Sequence, residues 1–588
     1  MKRILLISVL LMSVAQLFAQ TSPNGKIRAE YTSGRGLVIS YRQSDVWQVI
    51  ATIASPYDTP SAVRKVKVDY PMLYGKCLHP VNAYTQTTYT RKGDEARSLT
   101  VRVYNDGVAF AGLHAYSINL STARNTWLQR WSEGYEDFFP QNRSIHAGER
   151  YGYPALFEYG EGVFALLSES DITPGCAASS MWATERGLQF ELRPDGAEDG
   201  GYQTLIIGSL SDVVESTLIT DNSTACLYDD TSWIRPGVAS WVYWAYNHGS
   251  NDYNIIRRYV DMARDMHLPY VLIDAEWDDM PKVASNQGKT IEDAVKYALS
   301  CGVRPLIWYN SSTAWINGAP GPKFRLNEPE NREREFAWLE RLGVAGVKID
   351  FFAGDTHATM AYMIDLLRSA ARHHLLVNFH GATIPRGWQR TYPNLVSVEG
   401  VYGAEWYNNV PTFTDRAASH NATLPFTRNV VGSMDYTPCA FSDSQHPHIT
   451  THAHELALTV LYESGILHLA DRPESFLAQP KDVQDFLSGL PTAWDETRLL
   501  SGYPGRSVVL ARRSGRRWYI AGINGTDNPT TLTFSTRRMH KLGRRVTMFA
   551  DADKTKNVTR NWDITRPKQV PTSVDVAPRG GFILVVDK

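Results

Sequence analysis

The sequence predicts a multidomain α/β protein with three consecutive parts. These are an N-terminal β-sandwich (20–235), a central (β/α)8 TIM barrel (236–485) and a C-terminal antiparallel β-sandwich (486–588). Two observations predict this order. The middle of the chain alternates apolar runs with helical patterns, whereas both flanks carry short alternating runs broken by Gly, Pro, Asn and Asp. A chain of 588 residues with 43% hydrophobic content is long enough for several cores.

The N-terminal part has no long amphipathic helical pattern. Its alternating runs include "GLVISYR" (36–42), "SLTVRVYNDGVAFAGLHAY" (98–116) and "YQTLIIGSL" (202–210). Alternation with a period of two places every second side chain on the same face of a strand. Many such strands separated by turn residues predict a sandwich.

The central part carries eight apolar runs that we interpret as parallel strands. They are "SWVYWAYN" (240–247), "YVLIDAEWDD" (270–279), "RPLIWYNSS" (304–312), "GVKIDFF" (346–352), "LLVNFHGAT" (375–383), "LVSVEGVYG" (395–403), "LPFTRNVVG" (424–432) and "GILHLADRP" (465–473). Helical patterns such as "NIIRRYVDMARDMH" separate several of them. Eight strands with intervening helices predict a (β/α)8 barrel. In the last part, "SVVLARRSGRRWYIAGING" and "GGFILVVDK" return to the alternation of an antiparallel domain.

The first 19 residues have the pattern of a secretory signal peptide. Lys2 and Arg3 precede an apolar run that ends near Ala19, and this run is too short to favour a membrane span. We therefore expect an exported, periplasmic protein with no membrane span. A net charge of −1 without a basic block argues against nucleic-acid binding. The five cysteines show neither CxxC pairs nor metal-site spacing, which argues against a disulfide scaffold.

Charged and polar residues follow most of the predicted barrel strands. They are Asp274 and Glu276, Asn310, Lys348 and Asp350, Asn378 and His380, Glu399 and Glu405, Arg428, His468 and Asp471. Any one of them would be ordinary as a structural ion pair, but the carboxyl ends of barrel strands form the active face of this fold. A carboxylate-rich pocket suits glycosidic hydrolysis, which needs one carboxyl as acid and another as nucleophile or base. The same carboxylates also suit a hard cation such as calcium.

Other classes of chemistry lack their sequence signals. The chain has no GxGxxG or GxxxxGK[ST] loop, no HExxH pair and no GxSxG elbow. The aromatic content of 16 Trp, 30 Tyr and 20 Phe is compatible both with large β-rich cores and with sugar-stacking surfaces.

Four stretches carry a resemblance to a known family. They are "RTYPNLVSVEGVYGAEW" (390–406), "LPFTRNVVGSMDYTP" (424–438), "GVKIDFF" and "LLSESDITPG" (166–175). With them the chain resembles glycoside hydrolase family 97, calcium-dependent exo-α-glycosidases. The resemblance covers nearly the whole predicted mature chain and implies a β-super-sandwich, a barrel and a C-terminal β domain in that order.

The resemblance also implies a mechanism. Asp350 occupies the position of the nucleophile after strand four, and Gly381 stands where inverting members carry a glutamate. Glu405 matches the general acid/base. These matches imply a retaining exo-acting α-galactosidase that acts on an oligosaccharide or polysaccharide. The alternatives are a β-L-arabinopyranosidase of the same mechanism, an inverting α-glucosidase and a non-catalytic sugar-binding protein.

Further roles are expected for other residues. The resemblance implies that Glu169, Glu399 and Glu405 contact calcium. Lys348 lies two residues before Asp350 and so on the same strand face. It is expected to hold Asp350 ionised or to bind a sugar hydroxyl, with a purely structural salt bridge as the alternative. The predicted sugar contacts are Lys348, His380, Asn310, Trp277 and Asp274. Asp355 is interpreted as belonging to the N-cap region of the next helix.

Overall fold

The computed structural model describes residues 19–588 except 33, 92, 197–199, 244–247, 409, 444–445 and 556–559. Residues 1–18, and with them nearly all of the predicted signal peptide, lie outside the described residues. So does the end of the first predicted barrel strand (244–247). Among the helices that are described, none combines the length and the apolar character that crossing a bilayer requires.

The N-terminal domain consists of two large antiparallel sheets that share one apolar core. Its strands are β1 (Ala19–Thr21), β2 (Ile27–Thr32), β3 (Gly36–Gln43), β4 (Val46–Ile53), β5 (Thr59–Pro60), β6 (Arg64–Asp69), β7 (Val81–Arg91), β8 (Asp94–Tyr104), β9 (Gly107–Ala111), β10 (Tyr116–Asn119), β11 (Asn125–Trp127), β12 (Arg150–Tyr151), β13 (Ala155–Gly160), β14 (Val163–Ser170), β15 (Ser179–Ala183), β16 (Gln189–Pro194) and β17 (Tyr202–Gly208). The first sheet has the order β1-β2-β3-β4-β10-β16-β15-β12, and the second β11-β13-β14-β17-β9-β8-β7-β5, with β6 also paired to β7. Two short helices, α1 (Leu210–Glu215) and α2 (Leu218–Asp221), follow β17.

The central domain is a nearly closed parallel barrel. Its seven strands are β18 (Gly237–Val242), β19 (Tyr270–Ile273), β20 (Arg304–Asn310), β21 (Gly346–Asp350), β22 (Leu376–Phe379), β23 (Leu395–Val398) and β24 (Ile466–Leu469). They are hydrogen-bonded in the order β23-β22-β21-β20-β19-β18-β24. Nearly all of their residues are buried, as expected for parallel strands covered by helices on the outside.

The helices of this region differ widely in length. They are α3 (Tyr253–Asp265), α4 (Ile291–Ser300), α5 (Pro329–Leu342), α6 (His357–Arg372), α7 (Trp388–Thr391), α8 (Pro411–Thr414), α9 (Ala417–Asn421), α10 (His452–Leu461), α11 (Pro473–Leu477) and α12 (Lys481–Ser488). Short 3-10 helices span Trp277–Lys282, Ala284–Asn286, Ala404–Asn408, Leu424–Phe426 and Arg428–Val431.

The predicted seventh strand at 424–432 is wrong. This segment forms the two 3-10 helices Leu424–Phe426 and Arg428–Val431. The buried guanidinium of Arg428 donates to the carbonyls of Val398, Glu399 and Gly400, at and just beyond the end of β23. A side chain thus satisfies backbone groups that a neighbouring strand would otherwise pair. Only one bridge, between Val398 and Met434, links β23 to this side of the barrel within the described chain.

The C-terminal domain is antiparallel, as predicted. Its strands are β25 (Glu496–Tyr503), β26 (Ser507–Ser514), β27 (Arg517–Asn524), β28 (Thr530–Thr533), β29 (Arg545–Asp551), β30 (Trp562–Thr565), β31 (Ser573–Val576) and β32 (Gly581–Asp587). Six form the sheet β25-β26-β27-β32-β29-β30, and β28 pairs with β31. All ten residues of α10 are buried, and the helix packs on β27 and β32. The predicted three-part architecture is therefore confirmed.

Candidate active site

A cavity of about 270 Å³ opens among the loops that follow the barrel strands. Most of its lining comes from barrel loops and one residue comes from the N-terminal domain. The lining residues are Glu136, Tyr243, Asp274, Ala275, Trp308, Trp315, Pro320, Lys348, Asp350, Phe351, Gly381, Glu399, Glu405 and Trp406. The structure therefore brings together five of the predicted site residues, namely Asp274, Lys348, Asp350, Glu399 and Glu405.

Asp350 ends β21 and is held by two hydrogen bonds. Its Oδ1 accepts from the backbone N–H of Phe351 at 2.8 Å, and its Oδ2 accepts from Nε1 of Trp308 at 3.1 Å. Burial raises the pKa of Asp350 to about 6, against the opposing effect of the positive charges of Lys348 and His380. The carboxyl is therefore mostly ionised at neutral pH.

Lys348 forms a buried ion pair at the base of the cavity. Its Nζ lies 2.9 Å from Oδ2 of Asp274, which also accepts from Nε1 of Trp241 at 2.8 Å. Burial alone would lower the pKa of Lys348, but the carboxylates of Asp274 and Asp350 outweigh it and raise the pKa. Both readings of Lys348 thus apply, because the lysine pairs with Asp274 and also stabilises the charge of Asp350.

Glu405 lies in the 3-10 helix Ala404–Asn408 beyond β23. Burial and the charge of Glu399 raise its pKa to about 8, while Lys348 and His380 oppose the rise. Glu405 therefore carries its proton at neutral pH while Asp350 has lost its own. A pair of carboxyl groups with pKa values driven apart is the arrangement that separates an acid from a nucleophile or base.

His380 links two buried carboxylates. Its Nδ1 lies 3.3 Å from Oε1 of Glu399, and its Nε2 donates to Oδ2 of Asp435 at 2.7 Å. Burial disfavours the imidazolium, but Glu399 and Asp435 outweigh it and hold the pKa of His380 well above its ordinary value. Both ring nitrogens of His380 therefore face carboxylates, and its sugar contact stays a prediction. The histidine also acts on the charge of Glu399, whose pKa is lowered although burial opposes this.

The N-terminal domain contributes Glu136, which the sequence analysis missed. Its Oε1 accepts from Nε1 of Trp406 at 2.7 Å. Burial raises its pKa well above the ordinary range, and the charges of Glu399 and Glu405 add to this rise. The segment "WSEGYEDFF" (131–139) is rich in aromatic and acidic residues and lacks the alternation of a strand. This composition was the signal in the sequence that could have indicated a site residue here.

Glu169 lies in a different cluster from the one predicted. Its carboxylate accepts from Nε of Arg386 at 2.5 Å and from the backbone N–H of Ser179 at 2.9 Å, and it is fully buried. Here the carboxylate of Glu169 forms an ion pair with Arg386, and its calcium contact stays a prediction. The physical reason is its place near the end of β14, where a buried carboxylate needs a cation that Arg386 supplies.

One group in the described chain has the composition of a metal site. Ligand atoms of His380, Glu399 and Glu405 all lie within 4.8 Å of one another. Nε2 of His380 is hydrogen-bonded to Asp435 and Nδ1 faces Glu399, so the main donors of this group are the carboxylate oxygens of Glu399 and Glu405. Buried carboxylates that raise the pKa values of Glu136 and Glu405 suit a hard, doubly charged cation with oxygen ligands. This donor set fits calcium.

Two further residues predicted as sugar contacts do not line the cavity. Asn310 is fully buried, and its side chain binds the carbonyl of Trp315 and the N–H of Ser312. Trp277 donates to the carbonyl of Trp308 and stacks on Trp338. Position at a strand end does not reveal side-chain direction. The positive φ of 74° at Glu276 turns the chain just before Trp277.

Asp355 connects the barrel to the N-terminal domain. The cap of α6 is the neighbouring Thr356, whereas Asp355 is fully buried and its carboxylate accepts three hydrogen bonds from side chains elsewhere in the chain. Its Oδ1 accepts from Arg386 at 2.7 Å, and its Oδ2 accepts from Trp131 at 2.6 Å and Tyr135 at 2.9 Å. Asp355 thus lies in the N-cap region, as predicted, but its carboxylate serves this network and not the helix end. This network fixes the loop of the N-terminal domain that carries Glu136 into the cavity.

Comparisons with known proteins agree with this architecture. Sequence profiles described as "Glycosyl-hydrolase 97 N-terminal", "Glycoside hydrolase 97" and "Glycosyl-hydrolase 97 C-terminal, oligomerisation" match residues 21–223, 235–401 and 493–587. The chain is 39% identical over 467 residues to a "Probable retaining alpha-galactosidase" of Streptomyces bingchenggensis, covering 74% of this chain and 70% of that protein. It is 28% identical over 496 residues to a "Retaining alpha-galactosidase" of Bacteroides thetaiotaomicron, covering 74% and 71%.

A solved structure is similar over nearly the full length. The crystal structure of a "beta-arabinopyranosidase" superposes with a TM-score of 0.84 at 26% identity, covering 97% of this chain and 100% of that one. The profiles together span most of the sequence, and the curated relatives are matched over more than two thirds of their length. The chain therefore belongs to glycoside hydrolase family 97.

Proposed function

We propose that this glycoside hydrolase is a retaining, exo-acting α-galactosidase that cleaves terminal galactose from oligosaccharides. The observation that carries the proposal is that Asp350 and Glu405 line the same cavity at the carboxyl ends of the barrel strands. Two relatives that bear the name of retaining α-galactosidase support the choice of sugar and stereochemistry.

The reaction proceeds by two displacements at the anomeric carbon. The carboxylate of Asp350 attacks this carbon and forms a covalent glycosyl-enzyme, while Glu405 gives its proton to the departing glycosidic oxygen. Glu405 then takes a proton from water, which attacks the same carbon and releases Asp350. Two inversions give net retention. The hydrogen bonds from Phe351 and Trp308 fix the orientation of the Asp350 carboxylate before the attack.

Calcium is part of the proposal. Glu399 and Glu405 would hold the ion, which when bound supplies positive charge for sugar hydroxyls and for the surrounding carboxylates, among them Glu136. His380 keeps Glu399 ionised and oriented through the contact with its Oε1. We expect EDTA to lower activity, and added calcium to restore it. Unchanged activity after exhaustive chelation would contradict the calcium requirement.

Export to the periplasm is proposed from residues 1–19, whose pattern is that of a signal peptide. The N-terminal sequence of the protein recovered from a periplasmic fraction tests this. A mature chain that begins near Gln20 is expected, and a chain that retains Met1 would contradict it.

Nucleophile rescue tests the assignment of the two carboxyl groups. Asp350→Gly should reduce turnover of an activated aryl α-galactoside by several orders of magnitude. Azide should restore it and give the β-galactosyl azide, because a single displacement inverts the carbon. Glu405→Ala provides the matched control, since its azide product should be the α-anomer. If Asp350→Gly gives no azide product, Asp350 is not the nucleophile and its role is structural.

A second candidate substrate is a β-L-arabinopyranoside, favoured by the similarity to the solved structure of that name. The ratio of kcat/KM values for p-nitrophenyl α-galactoside and β-L-arabinopyranoside distinguishes the two. A ratio below one would replace the galactosidase proposal while leaving the retaining mechanism in place. A non-catalytic sugar-binding role is disfavoured because both carboxyl groups are present.

A further inference from the structure

An exposed tryptophan lies at the mouth of the catalytic cavity. The side chain of Trp315 is 51% exposed, whereas Trp308 in the same cavity is 1% exposed. Among the described residues, Trp315 is the one tryptophan that belongs to the exposed large hydrophobic side chains. An exposed apolar surface beside a binding site is a candidate contact for a ligand.

The indole of Trp315 is fixed in place without a ligand. Its Nε1 donates to the carbonyl of Asn317 at 2.9 Å, and its own carbonyl accepts from the buried Asn310 at 3.3 Å. The ring meets Phe351 edge-on, with centroids 4.9 Å apart and planes at 72°. The ammonium of Lys323 binds two further carbonyls of the same loop. Such a fixed ring loses little conformational entropy when a ligand covers it.

The position of Trp315 indicates which part of the substrate it meets. Asp274 and Lys348 occupy the buried end of the cavity, with exposures of 2% and 3%, and suit the terminal sugar. Trp315 lies at the solvent end and contacts the residue that follows the nucleophile Asp350. In an exo-acting enzyme, the leaving group points toward solvent.

We propose that Trp315 is a stacking platform for the pyranose on the leaving-group side of the scissile bond. The apolar C–H face of that sugar covers the indole, and its hydroxyl groups stay in water. The preferred substrates are then galactosides attached to a second pyranose rather than to a small or flexible alcohol. This inference rests on the proposed galactosidase function and adds its leaving-group specificity.

Two substrates that differ only in the leaving group test the platform. Trp315→Ala should lower kcat/KM for α-galactosyl-1,6-glucose by about tenfold or more, the size expected for loss of an aromatic contact. With α-galactosyl fluoride, which has no sugar as leaving group, the value should change by less than about twofold. Trp315→Phe should keep part of the preference for the disaccharide.

Phe324→Ala is the matched control. Phe324 lies in the same loop and is 52% exposed, but it is not part of the cavity lining. This variant should hydrolyse both substrates like the wild type. An equal loss of kcat/KM on both substrates would overturn the platform and show that Trp315 supports Phe351. An unchanged kcat/KM on both substrates would also overturn it. Failure of the wild type to hydrolyse either galactoside would instead refute the proposed function.

Discussion

The two carboxyl groups of the cavity differ because their surroundings differ. Asp350 ends a strand whose Lys348 lies on the same face, and it receives hydrogen bonds from Phe351 and Trp308. Glu405 lies near the ionised Glu399, which raises its pKa. Burial raises the pKa of both carboxyls, and neighbouring charges and hydrogen bonds add to or oppose this rise.

This difference predicts a bell-shaped pH profile. Activity should fall as pH drops through about 6, where Asp350 takes up a proton, and as pH rises through about 8 in the calcium-free enzyme, where Glu405 loses its proton; bound calcium should shift the alkaline limb to lower pH. The measurement is kcat/KM for an unactivated disaccharide across this range. With α-galactosyl fluoride, whose departure needs no proton, the alkaline limb should flatten while the acid limb remains. An unchanged alkaline limb would contradict the role of Glu405 as general acid.

Gly381 predicts a second effect at the residue scale. A Cβ at this position would lie 2.7 Å from the N–H nitrogen of Phe351 and 2.8 Å from Oδ1 of Asp350, and the φ of 47° already disfavours a side chain. Gly381→Ala should therefore reduce kcat strongly by displacing Asp350. Gly302→Ala is the control, because Gly302 also has a positive φ but no atom within 4 Å of its Cβ. Similar kcat values for the two variants would contradict this steric account.

Sequence patterns predicted Asp350, Glu405, Glu399, Lys348 and Asp274 at the cavity, and the structure places all five there. They follow or end parallel strands, whose carboxyl ends must converge. Glu136 was missed because it reaches the cavity from another domain, which no local pattern encodes. Asn310 and Trp277 also lie at strand ends, but their side chains turn into loop and core contacts.

At the scale of elements, the apolar runs predicted the seven barrel strands and failed at 424–432. A strand and a pair of 3-10 turns can carry the same apolar composition, and the deciding feature was Arg428. Burial lowers the pKa of Arg428 to about 9, which shows that burying its charge is unfavourable. The hydrogen bonds from its guanidinium to the carbonyls of Val398 and Glu399 offset this cost. Such a tertiary role is invisible to periodicity.

At the scale of the whole molecule, the barrel and the N-terminal domain are joined by buried charges. Arg386 binds Glu169 from one side and Asp355 from the other, and all three side chains are fully buried. Asp355 in turn binds Trp131 and Tyr135, which precede Glu136 in the chain. The order of the domains was predictable from composition. The buried ion pairs between the domains were not, because Arg386 and Glu169 are more than 200 residues apart in the chain.

Loss of the central cation should destabilise the protein. Arg386→Gln leaves two buried carboxylates without their partner, and removing one member of a buried ionic network costs about 3–5 kcal/mol. The free energy of unfolding from urea titration measures the effect. Arg193→Gln is the control, since the pair of Arg193 with Glu191 is half exposed and should contribute little. Equal stability of the two variants would contradict the structural importance of the buried ion pairs between the domains.

The stereochemistry of the first product tests the central claim most directly. Proton NMR of p-nitrophenyl α-galactoside hydrolysis, recorded before mutarotation, shows which anomer of galactose the enzyme releases. The presence of Asp350 beside Glu405 predicts that α-galactose appears first and that the β-anomer follows only as the sugar equilibrates. Release of β-galactose first, or a preference for the corresponding α-glucoside, would contradict the retaining α-galactosidase.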